Sequence, residues 1–184
     1  MTRNIAVFNG SLRKEAFSRK VANAFMELAP AGFHMEIIEI GQLPLYNQDL
    51  DENPPDSWTE FRNRVKDFEA LVFITPEYNR SVTAALKNAL DVGSRPAGKS
   101  IWGGKPAAVI SVSPGQYGGF GANHHLRQSF VFLDIPVMQQ PETYLAKVNE
   151  LFDEKGSLIN ERTREHLKKF MDKFEVWVEK NSVL

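Results

Sequence analysis

Cysteine is absent from the 184 residues of this chain. That absence excludes disulfide scaffolds, cysteine nucleophiles, zinc sites with cysteine ligands and iron–sulfur clusters. A strong charge of either sign is also missing, because 22 Lys and Arg residues face 23 Asp and Glu residues, for a formal net charge of -1. Surfaces that bind nucleic acid or anionic membranes need a concentrated positive field, so we expect neither as a partner.

Long apolar runs are missing as well, and none is sufficient to cross a bilayer. The N-terminal residues 1–4 lack the apolar segment of a signal peptide, which predicts a cytoplasmic protein. The hydrophobic fraction of 42% is nevertheless enough to build a core. We expect residues 1–184 to form a single domain, since this length fits one domain.

Strand and helix patterns alternate along the whole chain. Five apolar stretches predict strands: Ile5–Phe8, Met35–Ile40, Ala70–Ile74, Pro106–Val112 and a short one beginning at Ile135–Met138. Helices are predicted around Val21–Leu28, after the capping-box sequence Ser57–Glu60, and over Thr83–Asp91, Asn123–Leu133 and Asn160–Lys180. This alternation predicts an α/β fold: a flavodoxin-like three-layer sandwich whose five-stranded parallel sheet has the order 2-1-3-4-5, with helices on both faces.

In that strand order, ligands bind beyond the carboxyl ends of strands 1 and 3, so the loops there are of interest. The loop after strand 1 offers the hydroxyls of Ser11 and Ser18, the guanidinium of Arg13 and the N-terminus of the next helix. These donors suit a phosphate, although the loop has neither a P-loop nor a G-x-G-x-x-G sequence. A solvated turn capped by Ser18 is the alternative interpretation.

The loops after strands 3 and 4 have a different character. Pro76 stiffens the first of them, and the backbone N–H groups of Glu77, Tyr78 and Asn79 are candidate donors to a planar heterocycle. The other loop, residues 113–121, contains four glycines, which let a backbone approach a flat ligand closely. A turn capped by Ser81 and a flexible surface loop are the simpler interpretations of these two segments.

Several ordered motifs in these loops resemble the NADPH-dependent FMN reductase family, in particular its quinone and chromate reductase branch. The resemblance runs from Ile5 to Glu142, and it rests on Gly10–Arg13, Thr75–Asn79, Leu86–Asp91, Gly118-Gly119 and His125–Gln128. It implies non-covalent FMN, hydride transfer from NAD(P)H, and quinones, free flavins, azo compounds or chromate as small-molecule acceptors. We expect nicotinamide and acceptor to use one site in turn, which gives ping-pong kinetics. No side chain is predicted to be an obligatory catalytic acid or base, and no metal is expected.

By position, the resemblance implies a set of cofactor-binding residues. The phosphate would meet Ser11, Arg13, Phe17 and Ser18, and the isoalloxazine ring would meet Pro76, Glu77, Tyr78 and Asn79, with Ser113 close to it. Leu12 and Gly118 complete the predicted set. Relatives often carry Arg and Tyr in the stretch that reads Gly121–His124 here, which leaves acceptor preference and subunit contacts open.

The family also implies a homodimer or homotetramer whose subunits meet near the flavin. Four aromatic residues are candidates for the interface: Tyr117, Phe120, Phe130 and Phe132. Arg80 and Glu142 are a candidate ion pair between subunits.

The main alternative function is a non-catalytic electron carrier or flavin-binding module with the same fold. Carriers usually have a strongly acidic surface, whereas this chain is nearly neutral. A phosphorelay receiver, a serine hydrolase and a metal site at His124 and His125 all lack their required residues.

Overall fold

Five parallel strands form one sheet in the order β2-β1-β3-β4-β5, which confirms the predicted topology. The computed structural model describes residues 2–182. The strands are β1 (Arg3–Asn9), β2 (Phe33–Ile38), β3 (Ala70–Pro76), β4 (Ala107–Val112) and β5 (Tyr144–Leu145). The helices are α1 (Phe17–Met26), α2 (Asp56–Lys66), α3 (Ala84–Gly93), α4 (Phe120–Phe132) and α5 (Glu161–Asn181), with short 3-10 turns at Gln48–Leu50 and Val148–Glu150.

The central strands β1, β3 and β4 are almost continuously buried because helices cover the sheet on both faces. On one face, α1 and α5 pack through Val21, Phe25, Leu167, Phe170 and Phe174. On the other face, α2, α3 and α4 pack through Trp58, Phe61, Leu86, Leu126 and Phe130. Within residues 2–182, no helix has the length and apolar character needed to cross a membrane.

The predicted fifth strand is wrong in position. Segment 135–138 makes a single bridge, between Val137 and Ala107, whereas the paired residues of β5 lie further on at Tyr144–Leu145. Pro136 has no backbone N–H to donate, which limits regular pairing of that segment. Backbone bonds of Ser111 and Ser113 to the carbonyls of 143 and 145 then hold β5 against β4.

Two helix starts also differ from prediction. The sequence Ser57–Glu60 does not act as a capping box, because α2 already begins at Asp56 and its N-cap, Pro55, makes no side-chain capping bond. Proline is favoured at helix starts because its fixed φ suits the first turn. Helix α4 begins at Phe120, three residues before the predicted start, after Gly119 adopts a left-handed φ of 78°.

Candidate active site

A pocket of about 220 Å³ opens beyond the carboxyl ends of β1, β3 and β4, where the strand order reverses. We call it the switch-point pocket. Its lining consists of Ser11, Arg13, Ala16, Phe17, Ser18, Pro76, Glu77, Tyr78, Val112, Ser113, Pro114 and Val148. Eight of the eleven predicted cofactor-binding residues are in this lining, so residues from three distant parts of the chain meet there as expected.

The other three predicted residues lie outside the pocket lining. Leu12 has an exposed side chain, and Asn79 lines a neighbouring groove instead. Gly118 packs against β5, where a Cβ atom would lie 2.6 Å from the carbonyl carbon of Tyr144. Gly118 therefore permits close packing of the loop on Tyr144.

The first wall of the pocket is rich in hydrogen-bond donors. Ser11 accepts the backbone N–H of Arg13 at 3.3 Å, and the Arg13 side chain is exposed at the rim. Helix α1 begins at Phe17, and its N-cap, Ala16, makes no side-chain capping bond, so no side-chain oxygen caps the backbone N–H groups of the first turn. Ser18 is 1% exposed, and its hydroxyl has no hydrogen-bond partner among residues 2–182. The predicted alternative, in which Ser18 caps the helix, is wrong.

The second wall is a tight hairpin at residues 76–81, which we call the β3 hairpin. Tyr78 and Ser81 exchange backbone hydrogen bonds of 3.0 and 2.9 Å across Asn79 and Arg80. The expectation that three successive amides are free for a heterocycle is therefore wrong for Tyr78, whose N–H already has an acceptor. Thr83, and not Ser81, is the N-cap of α3.

The third wall joins two loops that are far apart in sequence. Ser113 Oγ accepts the N–H of Gly115 at 3.0 Å, and the Ser113 carbonyl accepts the N–H of Val148 at 3.1 Å. This second bond brings Val148 into the pocket, although nothing in the local sequence around it indicates a binding residue. Three further lining residues were missed for a simpler reason, since each is an apolar residue directly next to a predicted one: Ala16, Val112 and Pro114.

An aromatic cluster borders this region at the start of α4. The rings of Phe120 and His124 are 4.2 Å apart, and His124 Nε2 lies 3.0 Å from the Tyr144 hydroxyl. Burial, followed by the nearby carboxylate of Glu142, raises the pKa of Tyr144 to about 12. His125 instead contacts Ser81, so the two adjacent histidines serve different partners.

A larger, open groove of about 810 Å³ lies between α3 and α4 and shares Tyr78 with the switch-point pocket. Asn79, Ser81, Lys87, His125 and Gln128 are among its lining residues. Its one lysine, Lys87, is engaged by Asp91 at 2.7 Å. Within residues 2–182, the lining of this groove therefore offers no free cation for a phosphate, in contrast to Arg13 in the first wall of the switch-point pocket.

The chain is similar to known proteins over most of its length. Residues 3–150 match the family described as NADPH-dependent FMN reductase. A quinone reductase of Pseudomonas putida is 56% identical over 179 residues, which cover 97% of this chain and 96% of that protein. A 2-hydroxy-1,4-benzoquinone reductase of a Burkholderia species is 45% identical over 178 residues, with 97% of each chain covered.

Among solved structures, the flavoenzyme NAD(P)H:(acceptor) oxidoreductase FerB from Paracoccus denitrificans superposes with a TM-score of 0.92 at 37% identity. The alignment covers 99% of this chain and 100% of that one. Fold and similarity together define an NAD(P)H-dependent flavin oxidoreductase. The chain belongs to the NADPH-dependent FMN reductase family, with FMN as cofactor and NAD(P)H as co-substrate.

The residues present fit FMN on structural grounds of their own. A phosphate monoester needs several donors at one point, and the first wall supplies an uncapped helix start, an arginine and two serines. The unpartnered hydroxyl of Ser18 is the sharpest indication, because buried polar groups nearly always have a hydrogen-bond partner.

Proposed function

We propose that this chain is an NAD(P)H-dependent quinone reductase that holds FMN in the switch-point pocket, and that residues 1–184 form a single FMN-binding domain. The observation that carries the assignment is the buried, unpartnered hydroxyl of Ser18 beside the uncapped start of α1. Bound there, FMN would accept a hydride from NAD(P)H and would then reduce the quinone.

The residues of the first wall bind the phosphate in this proposal. Ser11 and Ser18 offer hydroxyl donors, Arg13 offers a charged fork, and Phe17 lies in the first turn of α1. Pro76, Tyr78 and Ser113 belong to the walls that would enclose the ring system. Leu12, Asn79 and Gly118 lie on the loops that follow β1, β3 and β4 but outside the lining. The protein's contribution is orientation and exclusion of water.

Quinones are the acceptors that we propose first, because the relatives from Pseudomonas putida and Burkholderia are named for quinone reduction. Free flavins, azo compounds and chromate belong to the wider set that the family resemblance implies. We also propose a cytoplasmic location, where NAD(P)H is available, and a homodimer or homotetramer. The exposed aromatic rings of Tyr117 and Phe120 near the pocket support an assembly that covers the flavin.

The test begins with apoprotein titrated with FMN. We expect one FMN per chain, and we expect Arg13→Ala to weaken binding by about 1.5–3 kcal/mol, the range for a hydrogen bond to a charged group. Arg19→Ala is the matched control, because Arg19 pairs with Glu39 at 2.7 Å and does not line the pocket. Unchanged affinity in Arg13→Ala would place the phosphate elsewhere.

The second half of the test separates an enzyme from an electron carrier. The holoprotein is given NADPH, then NADH, each with and without benzoquinone under anaerobic conditions. Catalytic loss of the reduced nicotinamide only when quinone is present supports the reductase. A protein that binds FMN but turns over no reduced nicotinamide is the carrier or binding module of the same fold.

A further inference from the structure

The β3 hairpin has a rigid two-residue turn. Asn79 and Arg80 have φ angles of 49° and 65°, and the flanking residues exchange both backbone hydrogen bonds. Two consecutive positive φ angles define the type I′ geometry that is typical of tight hairpins. The hairpin therefore moves as a unit, and its position depends on what anchors it.

Two hydrogen bonds anchor the hairpin to α4. Glu77 Oε2 accepts the backbone N–H of Ala122 at 3.1 Å, and Ser81 Oγ lies 2.8 Å from His125 Nδ1. Ala122 and His125 are three residues apart, so both anchors lie on one side of the helix. One anchor precedes the turn and the other follows it, and together they fix the orientation of the hairpin as well as its distance from α4.

The Glu77 carboxylate caps the start of α4 from outside the helix. Its N-cap, Gly119, has no side chain to offer, and the first turn contains no acidic residue. Helix starts favour a negative charge and an oxygen acceptor for their free N–H groups, and Glu77 supplies both from another loop. The second oxygen, Oε1, lies 3.8 Å from Arg80 Nη1, and only 12% of the side chain is exposed. Both carboxylate oxygens are thus engaged within the protein.

Gly121 shows how closely the hairpin and helix approach. A Cβ atom at this position would lie 2.5 Å from the Arg80 carbonyl oxygen and 2.9 Å from Glu77 Oε2. Gly121 is helical and has no positive φ, so contact and not backbone conformation requires the glycine. A side chain here would act as a wedge between the two elements.

We infer that Glu77, Ser81 and His125 are positioning residues that clamp the β3 hairpin, one wall of the switch-point pocket, onto the first two turns of α4. This inference rests on the proposed function, and it assigns the Glu77 carboxylate to the helix and not to the substrate. Pro76, Glu77 and Tyr78 line the pocket, so a loosened clamp changes the space available to the ring system.

The clamp is tested first without flavin. Hydrogen–deuterium exchange of the apoprotein is followed in the segments 76–82 and 118–126. We expect faster exchange in both segments for Glu77→Ala, and near wild-type exchange for Glu77→Gln, because the glutamine amide oxygen still accepts the Ala122 N–H. Unchanged exchange in Glu77→Ala, or equal loss in both variants, overturns the clamp.

Gly121→Ala distinguishes a clamped hairpin from a helix start that is independent of the hairpin, because the two predict different effects on stability and FMN affinity. Alanine is the better helix former by about 1 kcal/mol, so a free helix start would gain stability and leave the pocket unchanged. The clamp predicts that the wedge moves the hairpin instead, with an FMN dissociation constant raised about tenfold, as for Glu77→Ala. An FMN affinity equal to that of the wild type in both variants overturns the inference.

Asn160→Ala is the matched control for general loss of stability. Asn160 caps α5 by accepting the N–H of Thr163 at 2.9 Å, a bond of the same kind that stays within its own helix. The Asn160→Ala variant should have a lower melting temperature, with unchanged FMN affinity and unchanged hydrogen–deuterium exchange at residues 76–82. A wild-type protein that takes up no FMN refutes the proposed function. Hydrogen–deuterium exchange of the apoprotein still decides in that case whether the clamp exists.

Discussion

The hydroxyl of Thr83 donates a hydrogen bond of 2.6 Å to the carbonyl of Gly10 and accepts the backbone N–H of Leu86 at 3.3 Å. One buried side chain therefore caps α3 and also fixes the exit of β1. The fit is close on the glycine side too, since a Cβ atom on Gly10 would lie 3.2 Å from Leu86 Cδ2 and from Pro76 Cδ. The first two walls of the pocket are joined through this contact.

Replacing Thr83 by Val keeps the shape of the side chain and removes both hydrogen bonds. We expect the free energy of unfolding to fall by about 1–3 kcal/mol, because a helix cap is lost and the Gly10 carbonyl is left buried without its donor. Urea unfolding of the apoprotein measures this change. The control is Thr59→Val on the exposed surface of α2, which should change stability little. Equal midpoints for the two variants would mean that the Thr83 bonds contribute nothing.

Ser18→Ala should have opposite effects on the apoprotein and on FMN binding. Removing a buried hydroxyl that has no partner relieves a desolvation penalty, so the apoprotein should become more stable by about 1 kcal/mol. FMN binding should weaken, because the hydroxyl is then missing from the phosphate site. Urea midpoints and FMN titration give the two values. Ser57→Ala, in the first turn of α2, serves as the control on the opposite face of the sheet.

A Ser18→Ala protein with lower stability and unchanged FMN affinity would contradict this assignment. It would mean that the hydroxyl has a structural partner, for example a buried water, and that the phosphate lies elsewhere.

Tyr144 should remain protonated well above pH 10, the ordinary pKa of a tyrosine. Its folded-state pKa of about 12 lies above the ordinary value of 10.0, chiefly through burial and then through the Glu142 carboxylate. Because the folded pKa is raised, the associated stability is fully present below about pH 10 and is lost as the pH rises towards 12. The phenolate absorbance titration should lose its component near pH 12 in Tyr144→Phe. That component should move to lower pH in Glu142→Gln, and no movement would exclude a contribution of the carboxylate.

The sheet and most of the pocket could be predicted because their signals are local. Buried strands such as Ala70–Pro76 are continuous apolar runs, and polar residues directly after them fall at the carboxyl edge of a parallel sheet. Pairing at that edge then brings Ser11, Pro76 and Ser113 together, although more than 60 residues separate the first two along the chain.

What could not be predicted depends on contacts between distant segments. Val148 enters the pocket only because its N–H bonds to the Ser113 carbonyl after Lys147 adopts a left-handed φ of 49°. The role of Glu77 depends on α4 starting at a glycine without a cap, which is visible only once the helix is in place. The two-residue strand β5 has too few residues for any periodicity.

Steady-state kinetics should show ping-pong behaviour with parallel double-reciprocal lines. We expect NAD(P)H and quinone to use the same site in turn, because both would react at the one flavin that the proposal places in the switch-point pocket. Initial rates over a grid of both substrate concentrations test this order. Intersecting lines would require both substrates to be bound together and would give the neighbouring groove a role in binding.

The assembly prediction depends on which end of α4 is covered. Tyr117 and Phe120 are 65% and 52% exposed at the pocket end, whereas Val131 and Phe132 are 83% and 90% exposed at the other end. Phe130, a predicted interface candidate, is instead buried in the core. Twelve residues of helix separate Phe120 from Phe132, or about 18 Å at 1.5 Å per residue, so only the first patch is placed to cover a flavin.

Light scattering of the wild-type holoprotein should therefore show a dimer or tetramer at micromolar concentration. Phe120→Lys should weaken the interface that covers the pocket, and Phe132→Lys should affect only a second interface, if a tetramer forms.

Glu142→Ala tests the predicted pair with Arg80, whose guanidinium already lies 3.8 Å from Glu77 and 5.1 Å from the Tyr117 ring centre. An exposed pair contributes only about 0–1 kcal/mol, so we expect slight loosening of the assembly and unchanged FMN content. An oligomer dissociation constant in Glu142→Ala equal to that of the wild type would refute the pair, and a monomer that reduces quinone at full rate would show that the pocket needs no cover.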